Sequence, residues 1–177
     1  MKVILNIVGA QFGAEIDLTG EPFAGNPSVV DVLNKAKGVT SDRGVRFVDF
    51  QLAPPVGGQA RRENTLKSVT IEVTNTIRSR KKNADGSDRG SIAPGRYTLS
   101  EKISPENGVT FTRAFQYYIE KLRAEPPKVT TTYSIDDRIV PALASNAGNG
   151  KVAIENGDTV TLRLITVISP TLTPSAV

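Results

Sequence analysis

Apolar and polar residues alternate over much of the chain, and this period of two predicts a protein made mainly of β-strands. Met1–Val8 contains a nearly continuous apolar run, which predicts an interior strand. Phe12–Leu18 alternates apolar with polar positions, as expected of a strand with one buried face. The connection Gly9–Gln11 is short, so we predict that the two strands pair as a hairpin.

One segment, Asn26–Gly38, has the pattern of an α-helix. Its apolar residues, which recur at spacings of three and four, are Val29, Val32, Leu33 and Ala36. We expect a helix over Pro27–Lys37, capped by Asn26 and ended by Gly38, with the apolar stripe packed against a sheet.

Five later segments also have strand patterns. They are Val45–Leu52, Leu66–Ile77, Val129–Ile135, Lys151–Ile154 and Thr159–Ile168. A change of phase at Val48–Asp49 indicates a β-bulge. Val109–Leu122 fits a strand in its first half and a helix in its second half, and we favour a strand through Ile119 because β-branched and aromatic residues dominate. The tail Ser169–Val177 contains two prolines, and we expect that it does not continue a central strand.

A polar stretch, Arg78–Arg96, lies between two strand segments and turns around Asn83–Gly86. We therefore predict a long β-hairpin whose tip projects from the body. The basic residues of this stretch are Arg78, Arg80, Lys81, Lys82, Arg89 and Arg96. Clustered basic side chains can bind phosphate groups, so polyanion binding is one candidate function. We favour a solvated loop, because Asp85 and Asp88 offset part of the charge and the stretch has no aromatic residue for base stacking.

Composition excludes several chemistries. The chain of 177 residues has no cysteine and no histidine, which excludes disulfides, Cys-His and Ser-His-Asp catalysis and the usual zinc sites. The net charge of +4 is smaller than a nucleic-acid-binding protein usually concentrates, so we do not expect a nucleic-acid partner. No apolar run is long enough for a membrane span, and the N-terminus fits a strand better than a signal peptide, so we expect synthesis in the cytoplasm and no membrane partner.

The carboxylates offer no convincing metal or catalytic site. The order of residues in Asn83–Asp88 is distantly similar to a calcium loop, but the 12-residue pattern with its terminal Glu is absent, and we favour a surface turn. Asp136 and Asp137 are adjacent, so in an extended chain they point to opposite sides and cannot act together. We interpret them as a helix-initiating pair and expect no cofactor, no metal and no enzymatic activity; an enzyme that uses carboxylates is the third class of function.

Aromatic residues concentrate in one segment, at Phe111, Phe115, Tyr117 and Tyr118. On a strand, Phe111, Phe115 and Tyr117 share one face and Tyr118 lies on the other. We expect the shared face to belong to the core. A tyrosine that faces outward is a candidate contact residue at an interface, so Tyr117 and Tyr118 are the candidates of this segment.

Two separated pieces resemble the β-grasp domains related to the C-terminal β-domain of transcobalamin and to the soluble-ligand-binding β-grasp group. The helix segment PSVVDVLNKA is similar to the family's "T-V-x-D-x-L" helix. The stretches FQYYIEKL, IDDRIVPALASN and GKVAIENGDTVTLRLITV resemble its ending, in which an aromatic strand leads to a "lxxGD" turn, here Glu155–Asp158, and a final apolar strand. The resemblance implies a β-grasp scaffold with a binding or interaction role, and it implies no catalytic residue.

We therefore expect a single α+β domain over residues 1–177, with a β-grasp-like mixed sheet, one principal helix and a hairpin inserted over residues 53–101. As function we expect a non-enzymatic interaction or structural module that assembles with copies of itself or docks a protein partner through sheet edges and projecting loops. The alternatives are a small-ligand-binding domain with the aromatic cluster near Phe111–Tyr118 at its site, and polyanion binding by the basic stretch.

Overall fold

The computed structural model describes residues 1–21, 26–53, 65–78, 82–87, 90–100, 107–121, 129–133 and 154–170. In chain order, the elements in these ranges are β1 (Lys2–Val8), β2 (Phe12–Asp17), α1 (Val29–Ala36), β3 (Val45–Ala53), β4 (Thr65–Val73), β5 (Ile77–Arg78), β6 (Ser91–Ile92), β7 (Gly95–Ser100), β8 (Val109–Lys121), β9 (Val129–Tyr133) and β10 (Thr159–Pro170). The described fold is thus mostly sheet with one short helix, in the broad α+β class.

The larger sheet has five strands in the order β2-β1-β10-β8-β9. β1 and β2 form the predicted antiparallel hairpin. β10 lies beside β1 and runs parallel to it, while β8 pairs antiparallel with both β10 and β9. Within the ambiguous segment, β8 covers Val109–Lys121, so the strand favoured through Ile119 is confirmed, and Leu122 lies outside the described residues. Strands from opposite parts of the sequence thus meet in the middle of this sheet.

The helix is shorter than predicted and has a different cap. It begins after Ser28, whose hydroxyl accepts a hydrogen bond from the Asp31 amide at 3.1 Å, while the Asp31 carboxylate accepts one from the Ser28 amide at 2.8 Å. This reciprocal pair satisfies two helix donors, and Asn26 lacks an acidic partner at the corresponding spacing, so the expected cap at Asn26 is wrong. The helix ends before Gly38, whose φ of 85° is the left-handed conformation that glycine adopts readily.

A second sheet of three strands, in the order β3-β4-β7, was not expected. β4 pairs antiparallel with both neighbours, and the register shifts between Phe47 and Asp49, where the phase change predicted a bulge. The strand predicted over Leu66–Ile77 is in fact two strands, because β4 ends at Val73 and Ile77 belongs to β5. β5 pairs antiparallel with β6, so the long hairpin between β4 and β7 is confirmed.

Both larger sheets and the helix contribute to one hydrophobic core. The four apolar helix residues predicted to be buried are all buried, and they belong to the same cluster as Leu5 of β1 and Val69 of β4. The rings of Phe12 on β2 and Phe47 on β3 lie 5.9 Å apart between their centroids. The helix and the second sheet thus cover the same face of the five-stranded sheet.

The end of the described chain differs from expectation in two places. β10 continues to Pro170, which pairs with Val109, so the prediction that the strand stops before Ser169 is wrong. A proline is accepted there because β1 pairs with β10 only as far as Arg163, so this end of β10 has a described neighbour on one side only. Ile154 lies outside any strand, and the other residues of the strand predicted over Lys151–Ile154 are not among the described residues.

Candidate functional site

In the described part of the chain, one face of the five-stranded sheet is covered, and the other face is exposed along β1. Val3, Leu5 and Ile7 of β1 point to the core, whereas the side chains between them are exposed. We call the uncovered side the open face. Its side chains on β1, β8 and β10 are Lys2, Ile4, Asn6, Val8, Ala114, Gln116, Tyr118, Glu120, Thr159, Thr161, Arg163 and Ile165. Those of β1 and Arg163 are exposed, Ala114 is buried, and the others are half-buried.

Two large apolar residues on the open face are accessible although their strand is interior. Ile4 and Val8 are each 42% exposed. β1 has a sheet neighbour on both sides, so its backbone is satisfied and only the side chains face outward. The apolar run of Met1–Val8 correctly predicted an interior strand, but it gave no signal that one face of the strand remains uncovered.

The register places a polar row across the middle of the open face. Asn6 lies between Gly13 of β2 and Thr161 of β10, and Thr161 lies beside Tyr118 of β8. The Tyr118 hydroxyl donates to the Gln116 side chain at 2.5 Å, so the tyrosine lies within this face and is half-buried. The open face is therefore a mixed surface, with apolar residues at Ile4 and Val8 and hydroxyl and amide groups between them.

The structure separates the predicted aromatic cluster. Phe115 and Tyr117 are 8% and 6% exposed and belong to the core. Tyr117 is therefore wrong as a candidate contact residue, because its face of β8 is the covered one. Tyr118 lies on the opposite face, as the strand register predicted, and it remains a candidate.

Three of the six basic residues predicted at the hairpin tip lie in the described part of the chain. Arg78 and Lys82 are exposed near the tip, while Arg80, Lys81 and Arg89 lie outside the described residues. The second sheet contains the sixth residue, Arg96, on β7. The tip turn is closed by its own hydrogen bonds, and the Ser87 amide and hydroxyl donate to the Asp85 carboxylate at 2.9 and 2.5 Å.

Arg96 belongs to a charged row across the outer face of the second sheet. Glu72 of β4 lies between Arg96 on one side and Arg46 of β3 on the other. Its carboxylate oxygens lie 3.2 Å from Arg96 Nε and 3.1 Å from Arg46 Nη2. The hydrogen bond from Arg96, and then that from Arg46, lower the pKa of Glu72 below its ordinary value. Glu72 thus compensates part of the charge of Arg96.

A buried ion pair joins the ends of two neighbouring strands. The Asp158 carboxylate lies 2.7 Å from Lys121 Nζ, and it also accepts a hydrogen bond from the Glu155 amide at 2.8 Å. The turn that contains Asp158 is tied to β1 as well, because the Gly157 amide donates to the Lys2 carbonyl and the Ile4 amide donates to the Asp158 carbonyl. The sequence identified the turn, but it did not show that Lys121 is the partner of Asp158.

The predicted carboxylate pair, metal sites and membrane spans can be compared with the described residues only. Asp136 and Asp137 lie outside the described residues. Among the residues that the structure does describe, no group of three or more acidic side chains is placed to hold a metal ion. The same part of the chain contains no helix with the length and apolar character needed to cross a membrane.

Comparisons with protein-family models, with curated proteins and with solved structures gave no match to this chain.

Proposed function

We propose that this chain is a non-enzymatic interaction module of β-grasp type, and that it docks a protein surface, in the first instance a second copy of itself, on the open face. The exposure of Ile4 and Val8 on an interior strand carries this proposal. Contact with a partner removes such side chains from water, which contributes about 25 cal/mol for each Å² of apolar surface buried.

The order of strands and the position of the helix support the β-grasp scaffold. α1 follows the hairpin of β1 and β2, and its apolar stripe lies in the core. β1 and β10 lie side by side and parallel, so both early and late parts of the chain build one sheet that the helix covers. On this interpretation the three-stranded sheet is an insertion between the helix and β8.

The edges of the five-stranded sheet offer a second element of the same docking surface. In the described part of the chain, β2 and β9 each pair with a strand on one side only. Unpaired backbone groups at a sheet edge can bind an added strand. Both edges border the open face, so a partner that covers this face also meets an edge.

The charges of the open face favour a second copy as the occupant. Lys2 and Arg163 are exposed and basic, while Glu15 and Asp17 on the neighbouring strand are exposed and acidic. Two copies related by a twofold axis present the same patch to each other, so a patch with both signs of charge can pair with itself.

The environments of the ionisable residues support a non-enzymatic role. Asp158 is buried, and its carboxylate is bound by Lys121 and by a backbone amide. Glu72 lies between two arginines on a sheet surface. Both of these carboxylates therefore have ion-pair partners that explain their positions by a structural role. The burial of Phe115 and Tyr117 also removes support for the alternative small-ligand site lined by aromatic side chains.

Sedimentation velocity over a wide range of protein concentrations tests the proposal. We expect the wild-type protein to form a dimer as concentration rises, and the variant Ile4→Ser/Val8→Ser to dimerise at least about tenfold more weakly, which corresponds to about 1.4 kcal/mol. Tyr97→Ser is the matched control, because Tyr97 is 39% exposed on the second sheet. A wild-type protein that stays monomeric throughout, or a double variant that dimerises like the wild type, would overturn the proposal.

A further inference from the structure

A depression lies beside the turn between β1 and β2, where the loop between α1 and β3 approaches it. Its volume is about 440 Å³. The polar side chains that line it are Asn6, Gln11, Ser41, Asp42 and Arg43. Val8, which is 42% exposed, also lines it, together with the buried residues Ile7 and Phe12, so the depression combines polar groups with an accessible apolar side chain.

Arg43 is an exposed cation in this rim without a carboxylate partner. In the described residues, the ion pairs within 4.0 Å include Arg46 and Arg96 but not Arg43. Its guanidinium donates a hydrogen bond to the side-chain carbonyl of Gln11. A guanidinium has five N–H donors in a planar fork that matches the two oxygens of a carboxylate, so most of its binding capacity remains available.

Gln11, which accepts the hydrogen bond from Arg43, has an unusual backbone conformation. Its φ of 57° lies in the left-handed region, which non-glycine residues rarely adopt. This conformation lets the turn place the Gln11 side chain against Arg43, across 32 positions of sequence. The cation is thereby positioned over the rim of the depression.

Asn6 is a second hydrogen-bonding residue in the lining of the depression. Its cross-strand neighbour is Gly13, and a Cβ atom built at Gly13 would come within 3.4 Å of Asn6 Oδ1. Because Gly13 has no side chain, the Asn6 amide is accessible from the open face. An amide group offers two N–H donors and one carbonyl acceptor.

We propose that this depression binds a small carboxylate, with Arg43 as the main anchor and Asn6 as a second hydrogen-bond donor. Asp42 gives the rim one negative charge beside the positive charge of Arg43, which favours a singly charged carboxylate over a doubly charged phosphate. The carboxylate can come from a free acid or from the C-terminus of a peptide, and both present the same group to the guanidinium. Binding here does not require docking on the open face.

NMR titration of the ¹⁵N-labelled full chain tests this site, with acetate, N-acetylglycine and inorganic phosphate as separate probes and sodium chloride as the ionic control. We expect saturable shifts of the Gly9, Gly13 and Ser41 amides with both carboxylates, and weaker shifts with phosphate. Tighter binding of N-acetylglycine than of acetate would indicate a peptide C-terminus as the source, and equal binding would indicate a free acid.

Variants separate a specific site from a general effect of charge. We expect Arg43→Gln to weaken carboxylate binding at least about tenfold, as loss of a charge-assisted bidentate contact does. Arg113→Gln is the control, since Arg113 is an exposed arginine on β8 that does not line the depression, and it should bind like the wild type. Asn6→Leu, which removes the amide and fills the space above Gly13, should also weaken binding. Shifts that do not saturate, that sodium chloride reproduces, or that Arg43→Gln leaves unchanged would overturn the proposal.

Discussion

The carboxylate of Asp158 lies 2.7 Å from the ammonium nitrogen of Lys121, with side-chain exposures of 2% and 13%. The pair spans 37 positions of sequence and joins the end of β8 to the start of β10. Asp158 also accepts a hydrogen bond from the Glu155 amide. One buried carboxylate therefore binds both the neighbouring strand β8 and its own turn. It therefore holds together the strands at the centre of the five-stranded sheet.

We predict that Asp158→Ala destabilises the protein by about 3 kcal/mol or more, because it removes the carboxylate that lies 2.7 Å from the largely buried Lys121 ammonium. The double variant Asp158→Leu/Lys121→Met should be less destabilised, since it removes both charges and replaces them with apolar groups. Urea denaturation gives the two free energies of unfolding. A single variant within about 1 kcal/mol of the wild type would show that the pair does not hold the strands.

The cap of the helix gives a second prediction. Ser28→Ala should lower the free energy of unfolding by about 1 kcal/mol, because the Asp31 amide loses its acceptor at the start of α1. Asn34→Ala is the control on the same helix, since Asn34 is exposed and alanine has the higher helix propensity. Thermal or urea unfolding of both variants checks the difference. Equal destabilisation by the two changes would contradict the assignment of Ser28 as the cap.

Two neighbouring residues of β1 test the two faces of the sheet. Leu5→Ala should cost about 2–5 kcal/mol, because Leu5 is fully buried beneath the helix and the second sheet. Ile4→Ala, one position earlier, should change the stability of the monomer by about 0.5 kcal/mol or less, because Ile4 faces the open side. Urea denaturation at low protein concentration makes the comparison. Similar losses at both positions would mean that the open face is covered in the monomer.

The row through Glu72 gives a prediction for pH. The folded-state pKa of Glu72 is lowered from its ordinary value of 4.5, first by the hydrogen bond from Arg96 and then by that from Arg46. Its contribution to stability is therefore fully present above the unfolded pKa and is lost as pH falls through the folded pKa. We expect Glu72→Gln to reduce the loss of stability on acidification below pH 4.5.

Chemical denaturation at a series of pH values measures this effect. Thr98→Val, in the neighbouring cross-strand row, introduces no titratable group and should keep the wild-type pH slope. A Glu72→Gln variant whose stability falls with pH as steeply as that of the wild type would show that Glu72 does not contribute. High salt should also reduce the difference between the wild type and Glu72→Gln, because the row is accessible to solvent.

The sequence predicted the local elements better than the contacts between them. The stripe at Val29, Val32, Leu33 and Ala36 predicted the buried face of the helix, because helical periodicity is a local property. Alternation in Val45–Leu52 likewise predicted a strand. Such a pattern identifies which face of the strand is buried, but it does not determine which strand lies beside it. The assignment of β3 and β4 to a separate sheet therefore could not be derived from their patterns.

The candidate sites depended still more on long-range contacts. The exposure of Ile4 and Val8 follows from which face the helix and second sheet cover, and the apolar composition of β1 hides it. The position of Arg96 in the sequence groups it with the basic tip, whereas the register of β4 and β7 places it beside Glu72. Arg43 gave no sequence signal, because its relation to Gln11 exists only once the turn and the loop are brought together.

The parallel pairing of β1 with β10 has a consequence for how the polypeptide acquires its structure. The Lys2 amide is bonded to the Asn156 side chain across 154 positions, so this closure needs nearly the whole described length. On a ribosome, β1, β2, α1 and the second sheet emerge first, and one side of β1 stays without its neighbour until translation reaches β10. Contacts of such high sequence separation slow folding. The unpaired edge of β1 is therefore the region where a nascent chain most needs protection by a chaperone.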